Sequence, residues 1–360
     1  MKKIIALAVA AAFVAPVAMA EVTIYGGLRT SVEYSKISSP SLDGSKVRLV
    51  DQSSRLGFKG SDKLDNGLTV LWQAEQRVRV GASNPDGTNN SASGWGDRDT
   101  FVGLQGDFGM VRAGKFDDII DQSRGDFFSA LGGLEETGHS SGKIVRRGAG
   151  KSSNTIAYYS PSFGGFGFKA QGVMGNDNAT GNANGYAATA FYKSKMVEVG
   201  AGYKAMNDIA AKEIGSTTTT ITPGGEYEYM VVGASVMPIS GLKISAAWDR
   251  TDSKASASAN SVKQDGYGMG ATYTTGKYAF NGNIAKLNDR KDGGSKVANT
   301  GAWEASLSMN YMLSKQTKLT AGATYVKNDS AQNLQTNTAS YDATMGAKLT
   351  SVSVGIHTNF

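Results

Sequence analysis

The chain has no cysteine, only two histidines and only six prolines in 360 residues. Without cysteine there can be no disulfide framework and no Cys/His metal cage. A serine-nucleophile mechanism needs a base, and only His139 and His357 are histidines. Neither is accompanied by a G-x-S-x-G elbow. After residue 20 no apolar run is long enough for a transmembrane helix, and mean hydropathy is −0.27. Basic residues are spread among nearly as many acids, 37 against 31, rather than clustered in a stripe, which argues against nucleic acid as a partner.

The first twenty residues resemble an export signal. Met1-Lys2-Lys3 is basic, Ile4 to Val17 is a short apolar run, and Ala18-Met19-Ala20 is a small-residue cleavage site. We expect residues 1–20 to be a signal peptide and 21–360 to be the folded domain.

Much of the remainder alternates between apolar and polar residues. Val352, Val354 and Ile356 alternate with Ser351, Ser353, Gly355 and His357 before the chain ends at Phe360. Leu242, Ile244, Ala246 and Trp248 alternate with Lys243, Ser245, Ala247 and Asp249, and Trp303, Ala305, Leu307 and Met309 with Glu304, Ser306, Ser308 and Asn310. Successive side chains of a strand point to opposite faces, so each segment has one greasy and one wet face. A soluble sandwich alternates too. The connections separate the two cases: about seven short turns alternate with about eight long polar segments, near 36–46, 81–95, 116–151, 175–184, 207–225, 252–262, 288–298 and 328–340. The pattern predicts an all-β, antiparallel transmembrane barrel of about sixteen strands, with both termini on the short-turn side.

The third long segment, about 116–150, is unusually long for an unstructured loop. It carries Asp117, Asp118, Asp121, Asp126, Glu135 and Glu136, together with Phe127, Phe128, Leu131 and Leu134. Exposing those apolar residues would be costly. The segment is therefore expected to fold into the lumen, its acids forming one side of a constriction, with some serving as helix caps or anchors. Strand parity puts Arg55, Lys59, Arg77 and Arg79 on the lumen face, because a charge in lipid costs about 2–4 kcal/mol. The parity of Arg98 points outward unless a bulge intervenes. Arg147 and Lys151 are candidates to complete the basic wall. Tyr25, Tyr34, Trp72, Phe101, Tyr158, Tyr311, Tyr325 and Phe360 are candidates for interfacial girdles.

Ser53-Ser54-Arg55-Leu56-Gly57-Phe58-Lys59-Gly60 and Leu64-Asp65-Asn66-Gly67-Leu68-Thr69-Val70-Leu71-Trp72-Gln73-Ala74-Glu75-Gln76 resemble a stretch of the general porins of Neisseria, Bordetella and related β-proteobacteria. So do Arg98-Asp99-Thr100-Phe101-Val102-Gly103-Leu104, Gly106-Asp107-Phe108-Gly109-Met110-Val111-Arg112-Ala113-Gly114-Lys115 and Tyr159-Ser160-Pro161-Ser162-Phe163-Gly164-Gly165-Phe166. The resemblance implies a Gram-negative outer-membrane homotrimer that passes ions and small hydrophilic solutes. It also implies contact with the lipid bilayer and lipopolysaccharide, a basic pore residue at Arg98, and insertion by an assembly machinery that recognises Phe360. No enzymatic activity, cofactor or metal is expected.

Other motifs weigh little. Gly109-x4-Gly114-Lys115 approaches a phosphate loop, but Phe116 stands where Ser or Thr should bind magnesium. Asn176-Asp177-Asn178 faintly resembles a calcium loop without its closing Glu. Two alternatives remain: a barrel enzyme using His139, and an adhesin with a plugged lumen. The charged third loop suits a constriction better than a plug.

Overall fold

The computed structural model describes residues 22–81, 94–134, 137–148, 150–175, 184–207, 224–336 and 344–360. The expected signal segment 1–20, Glu135, Glu136 and Asn176-Asp177-Asn178 lie outside the described residues.

The strands are β1 (Thr23–Ser38), β2 (Asp43–Asp51), β3 (Arg55–Lys63), β4 (Thr69–Arg77), β5 (Thr100–Gly106), β6 (Gly109–Asp117), β7 (Lys151–Tyr159), β8 (Phe166–Val173), β9 (Asn184–Lys193) and β10 (Val197–Asn207). They continue as β11 (Glu226–Ile239), β12 (Leu242–Lys254), β13 (Val262–Thr275), β14 (Tyr278–Leu287), the short β15 (Lys291–Asp292) and β16 (Ser295–Lys296), β17 (Ala302–Met312), β18 (Thr317–Asn328) and β19 (Lys348–Asn359). Every pairing among them is antiparallel. The sheet closes where β1 meets β19, from Gly27 opposite Asn359 to Ser38 opposite Lys348. Both β2 and β3 pair with β1, so they form one stave interrupted at Gln52-Ser53-Ser54. Ser53 takes the left-handed conformation there (φ 65°), and the Ser54 hydroxyl accepts the Arg29 amide at 2.9 Å. β15 and β16 form a small hairpin above the rim. With β2 and β3 counted as one, sixteen staves make the wall.

Closure has a direct physical cause. Lipid cannot hydrogen-bond a stray amide, so a sheet survives there only without edges. The alternation then decides which face is outside. Val32, Val354, Met269, Ile284 and Leu307 are exposed on the outer face, whereas Ser31, Glu33, Ser353 and Ser306 on the inner face are buried. No helix among the described residues is long and apolar enough to cross a membrane. The seven short turns stand where expected. The first long connection does not: β1 runs to Ser38 and β2 begins at Asp43, leaving a four-residue link in place of the loop expected over 36–46. Ser39 and Leu42 close this link through both backbone and hydroxyl bonds.

The third long connection, hereafter L3 (118–150), enters the lumen. It opens with helix α1 (Ile119–Phe127), capped by the Asp118 carboxylate, which accepts the Asp121 amide at 2.8 Å. Ile119, Ile120, Ser123 and Phe127 form its buried stripe. A 3-10 turn (Ser129–Gly132) follows. Phe127, Phe128, Leu131, Ile144 and Val145 pack on the inner wall against Tyr229, Val231, Ala247 and Ala285. Each large apolar side chain buried this way contributes about 1.5–3 kcal/mol. The wall is thinned to receive them: a Cβ at Gly200 would lie 2.4 Å from the Phe127 ring, and one at Gly322 would lie 2.2 Å from the His139 ring. Gly200→Val and Gly322→Val should each push L3 off the wall. In planar bilayers the expected result is changed single-channel conductance with added current noise, while strand content by circular dichroism stays at the wild-type level.

The lumen constriction

L3 lies against β8–β14 and reaches β17, β18 and β19, so the passage it leaves is bordered by the inner faces of β3–β6. Register places Arg55 opposite Arg77, Gly57 opposite Glu75, and Lys59 opposite Gln73, all on the lumen face. The Arg77 amide donates to Asp97 Oδ1 at 2.8 Å, and its guanidinium lies 3.9 Å from the same carboxylate. Arg55 lies 3.9 Å from Glu75. Lys59 stands near the short-turn end, exposed, with Nζ 5.2 Å from the Tyr25 ring centre. Arg79 is half-buried just beyond β4.

Arg98 turns inward, contrary to its parity. It precedes β5, where alternation no longer governs direction. Its amide donates to the Glu75 carbonyl at 3.2 Å, and its Nε donates to the Glu75 carboxylate. Tyr25 and Phe101, expected in the girdles, also face the lumen. The Tyr25 hydroxyl donates to Glu75 at 3.1 Å, and Phe101 meets Phe116 edge-on at 6.0 Å. Alternation counted from Ile24 and Val102 would have placed both correctly.

Arg147 is spent inside the protein rather than on the passage. Nη2 lies 2.7 Å from Asp249 Oδ1, Nη1 donates to Thr251 at 3.2 Å, and Nε donates to the Ile144 carbonyl at 3.0 Å. Burial costs Asp249 its hydration, and Arg147 together with the Tyr229 hydroxyl, 2.9 Å away, restores its partners. Lys151 bridges Asp99 and Asp117.

The acids of L3 mostly hold the loop in place. Asp118 is fully buried and receives Lys204 at 3.1 Å. Asp121 takes Arg146 at 2.9 Å, and Asp126 takes both Lys169 and Lys193. Among the described acids here, only Asp117, at the end of β6 and 42% exposed, keeps a substantial face to water. Lys151, which receives Asp117, is among the residues expected on the basic wall; Lys169, Lys193 and Lys204, which receive Asp126 and Asp118, and Arg112 are not. The Arg112 guanidinium lies 4.0 Å from the Phe116 ring centre, 4.6 Å from that of Tyr159 and 4.7 Å from that of Phe101. Its inward parity was legible, since Val111 and Ala113 face out. At the closing seam, Phe360 and Gly26 exchange backbone bonds at 3.0 and 3.1 Å.

The far end of L3 is pinned by His139. Its two ring nitrogens bond the Thr324 and Ser353 hydroxyls of β18 and β19 at 2.8 and 2.7 Å. Burial pulls its pKa down to about 4.

A closed antiparallel barrel with a greasy exterior, and a long loop folded against its inner wall, defines the architecture of an outer-membrane pore protein. A family model described as Gram-negative porin matches residues 6–331, and the chain belongs to that family and to the outer membrane. The major outer membrane protein P.IB of Neisseria meningitidis serogroup A is 32% identical over 221 residues, 58% of this chain and 61% of that protein. That of Neisseria lactamica is 34% identical over 194 residues, 51% of this chain and 53% of its own. The match therefore spans somewhat over half the length of these relatives. Among solved structures, an anion-selective porin from Comamonas acidovorans superposes with a TM-score of 0.73 at 22% identity, covering 95% of this chain and 100% of its own. OmpT of Vibrio cholerae in its trimer form gives 0.67 at 16% identity, covering 94% and 99%.

Two outcomes follow for the anchors. His139 is held neutral in the fold but protonates near its ordinary value of 6.5 when unfolded. Its contribution is therefore complete above pH 6.5 and is lost as pH falls towards 4, by up to about 3 kcal/mol. Denaturant unfolding at pH 7.5 and 4.5 should show a larger acid loss for the wild type than for His139→Gln. Arg147→Met strands Asp249 and should cost about 3–5 kcal/mol, whereas Arg147→Met combined with Asp249→Leu should recover much of it.

Proposed function

We propose that the protein is a passive, water-filled channel for ions and small hydrophilic solutes, leaning towards anions, and that it works as a homotrimer without catalysis. The observation that carries the anion preference is how the charges are matched. Asp117 at the end of β6 and the described L3 acids Asp118, Asp121 and Asp126 each have a cation on them. Arg112 of β6 and Lys59 of β3 lie on aromatic rings, with no carboxylate partner among the described residues. A surplus of fixed positive charge on a narrow, low-dielectric wall focuses the field and raises the local concentration of anions.

The trimer is supported by the trimer form named for the Vibrio barrel. Selectivity for anions is named for the Comamonas protein, which at 22% identity speaks for the fold. His139 favours a channel over a hydrolase. It is 1% exposed, and both its nitrogens are occupied by wall hydroxyls, so no substrate can reach it without detaching L3.

The test is reversal potential in asymmetric potassium chloride. Arg55→Glu combined with Arg77→Glu should shift the chloride-to-potassium permeability ratio towards cations by about threefold or more, the effect of a change of roughly one kT in pore potential. An unmoved potential would remove both arginines from the pore. A purified protein that passes no current would remove the channel.

A further inference from the structure

Along the strands below Arg55 and Arg77, the lumen wall carries a patch that is apolar in the middle and basic at its sides. Alternation turns Leu71 of β4, Phe101 of β5 and Met110 of β6 inward, in step with Glu75, Gly103 and Arg112. The register sets Leu71 opposite Gly103 and Gly103 opposite Arg112. Two residues along, Lys59 stands opposite Gln73 and Gln73 opposite Phe101. Other inward apolar side chains, such as Tyr229, Val231 and Ala285, are buried under L3. Leu71, Phe101 and Met110 are only half-buried. A wall that merely conducts water and ions gains nothing from apolar surface kept wet.

The two flanking cations are the ones left without a carboxylate. The Arg112 guanidinium lies 4.7 Å from the Phe101 ring centre, and its Nε has no hydrogen-bond partner among the described residues. Lys59 is exposed, two strand spacings from Phe101, or about 10 Å. From Leu71 to Gln73 on β4 and from Phe101 to Gln105 on β5, no inward position carries a charge. A solute that answers this set has an anionic group for Arg112 and a flat apolar body for Phe101 and Leu71. With guanidinium and ring so close, a carboxylate borne directly on an aromatic ring meets both at once. An aromatic body gains more there than an aliphatic one, from ring-on-ring contact and from the neighbouring guanidinium.

We infer that this patch is a weak binding subsite for aryl carboxylates, with the carboxylate on Arg112, the ring on Phe101 and Leu71, and Lys59 drawing the anion in. The inference rests on the channel reading above and narrows its anion preference to a class of solute. A site inside a channel serves passage only if it releases what it holds. One guanidinium and one open apolar face meet that condition, because the solute keeps its other side in water.

Sodium benzoate added to single channels in planar bilayers tests this, with the current and its noise compared against acetate, cyclohexanecarboxylate and benzyl alcohol. Benzoate should interrupt the wild-type current at a concentration about threefold or more below that needed for cyclohexanecarboxylate, the gain expected from ring-on-ring contact. Acetate and benzyl alcohol, each lacking half of the ligand, should be weaker than both. Arg112→Gln should shorten the benzoate dwell by about tenfold, the loss of a charge-assisted hydrogen bond. Lys59→Gln should slow entry and leave the dwell as it was. Phe101→Leu should erase the difference between benzoate and cyclohexanecarboxylate. Leu71→Phe sets a second ring diagonal to Phe101 and should lengthen the dwell about twofold or more, a gain that a damaged barrel would not give. Val102→Leu, on the lipid side of β5, should change neither entry nor dwell. A benzoate effect no greater than that of acetate, or one that survives both Phe101→Leu and Arg112→Gln, overturns the subsite and leaves the channel standing. A protein that carries no current in potassium chloride removes both.

Discussion

The structure depends on the inability of hydrocarbon to accept or donate a hydrogen bond. Every backbone amide at membrane depth must find its partner within the protein, and the sheet meets that demand only by closing β19 onto β1. Closure fixes the register all round, and the register fixes each side chain as lipid-facing or lumen-facing. The polar face of a strand, costly in lipid, becomes the lining of a wet interior. The same rule explains the loop. Irregular backbone at this depth survives only where protein or water covers it, and L3 satisfies it with a short capped helix and wall contacts.

L3 is held by two kinds of force. Apolar side chains of its helix lie flat against thinned wall positions such as Gly200. Polar anchors run along it: Asp118 on Lys204 at the start, Asp126 on Lys169 and Lys193 within the helix, and His139 on two hydroxyls and Arg147 on Asp249 further on. A buried ion pair seldom adds net stability, because desolvation offsets its attraction. Its value here is positional. Removing one partner leaves a bare charge in the wall, so a displaced loop is penalised more heavily than a seated one is rewarded.

How much of this was legible in the sequence followed from where periodicity applies. The barrel, its strand number and the inward faces of Arg55, Lys59 and Arg77 come from a period of two, which survives unchanged into the register. Arg98 lies just outside β5, where that period ends, and its turn towards Glu75 could not be read from parity. Residue type alone puts Tyr25 and Phe101 in the girdles, whereas their parity points inward. The wall lysines Lys169, Lys193 and Lys204 were readable as lumen-facing, but their partners were not. Alternation gives a direction and says nothing of what a folded loop will bring opposite it. The first connection looked long because Asp43 to Lys46 is polar, yet a strand end above the membrane needs no apolar face.

The charge pattern of the passage follows from how the loop is fastened. Lysines facing the lumen from β8 to β10 would make that side of the tube basic, and the acids of L3 would make the loop acidic. Seating the loop brings the two together at Asp118 and Asp126, so each cancels the other's field at close range. What remains uncancelled includes Arg112 of β6, beside the loop. It is held by three rings rather than by a carboxylate, and an aromatic face stabilises a guanidinium without neutralising its charge. The loop that narrows the tube therefore also decides its sign, by consuming its own acids in staying put.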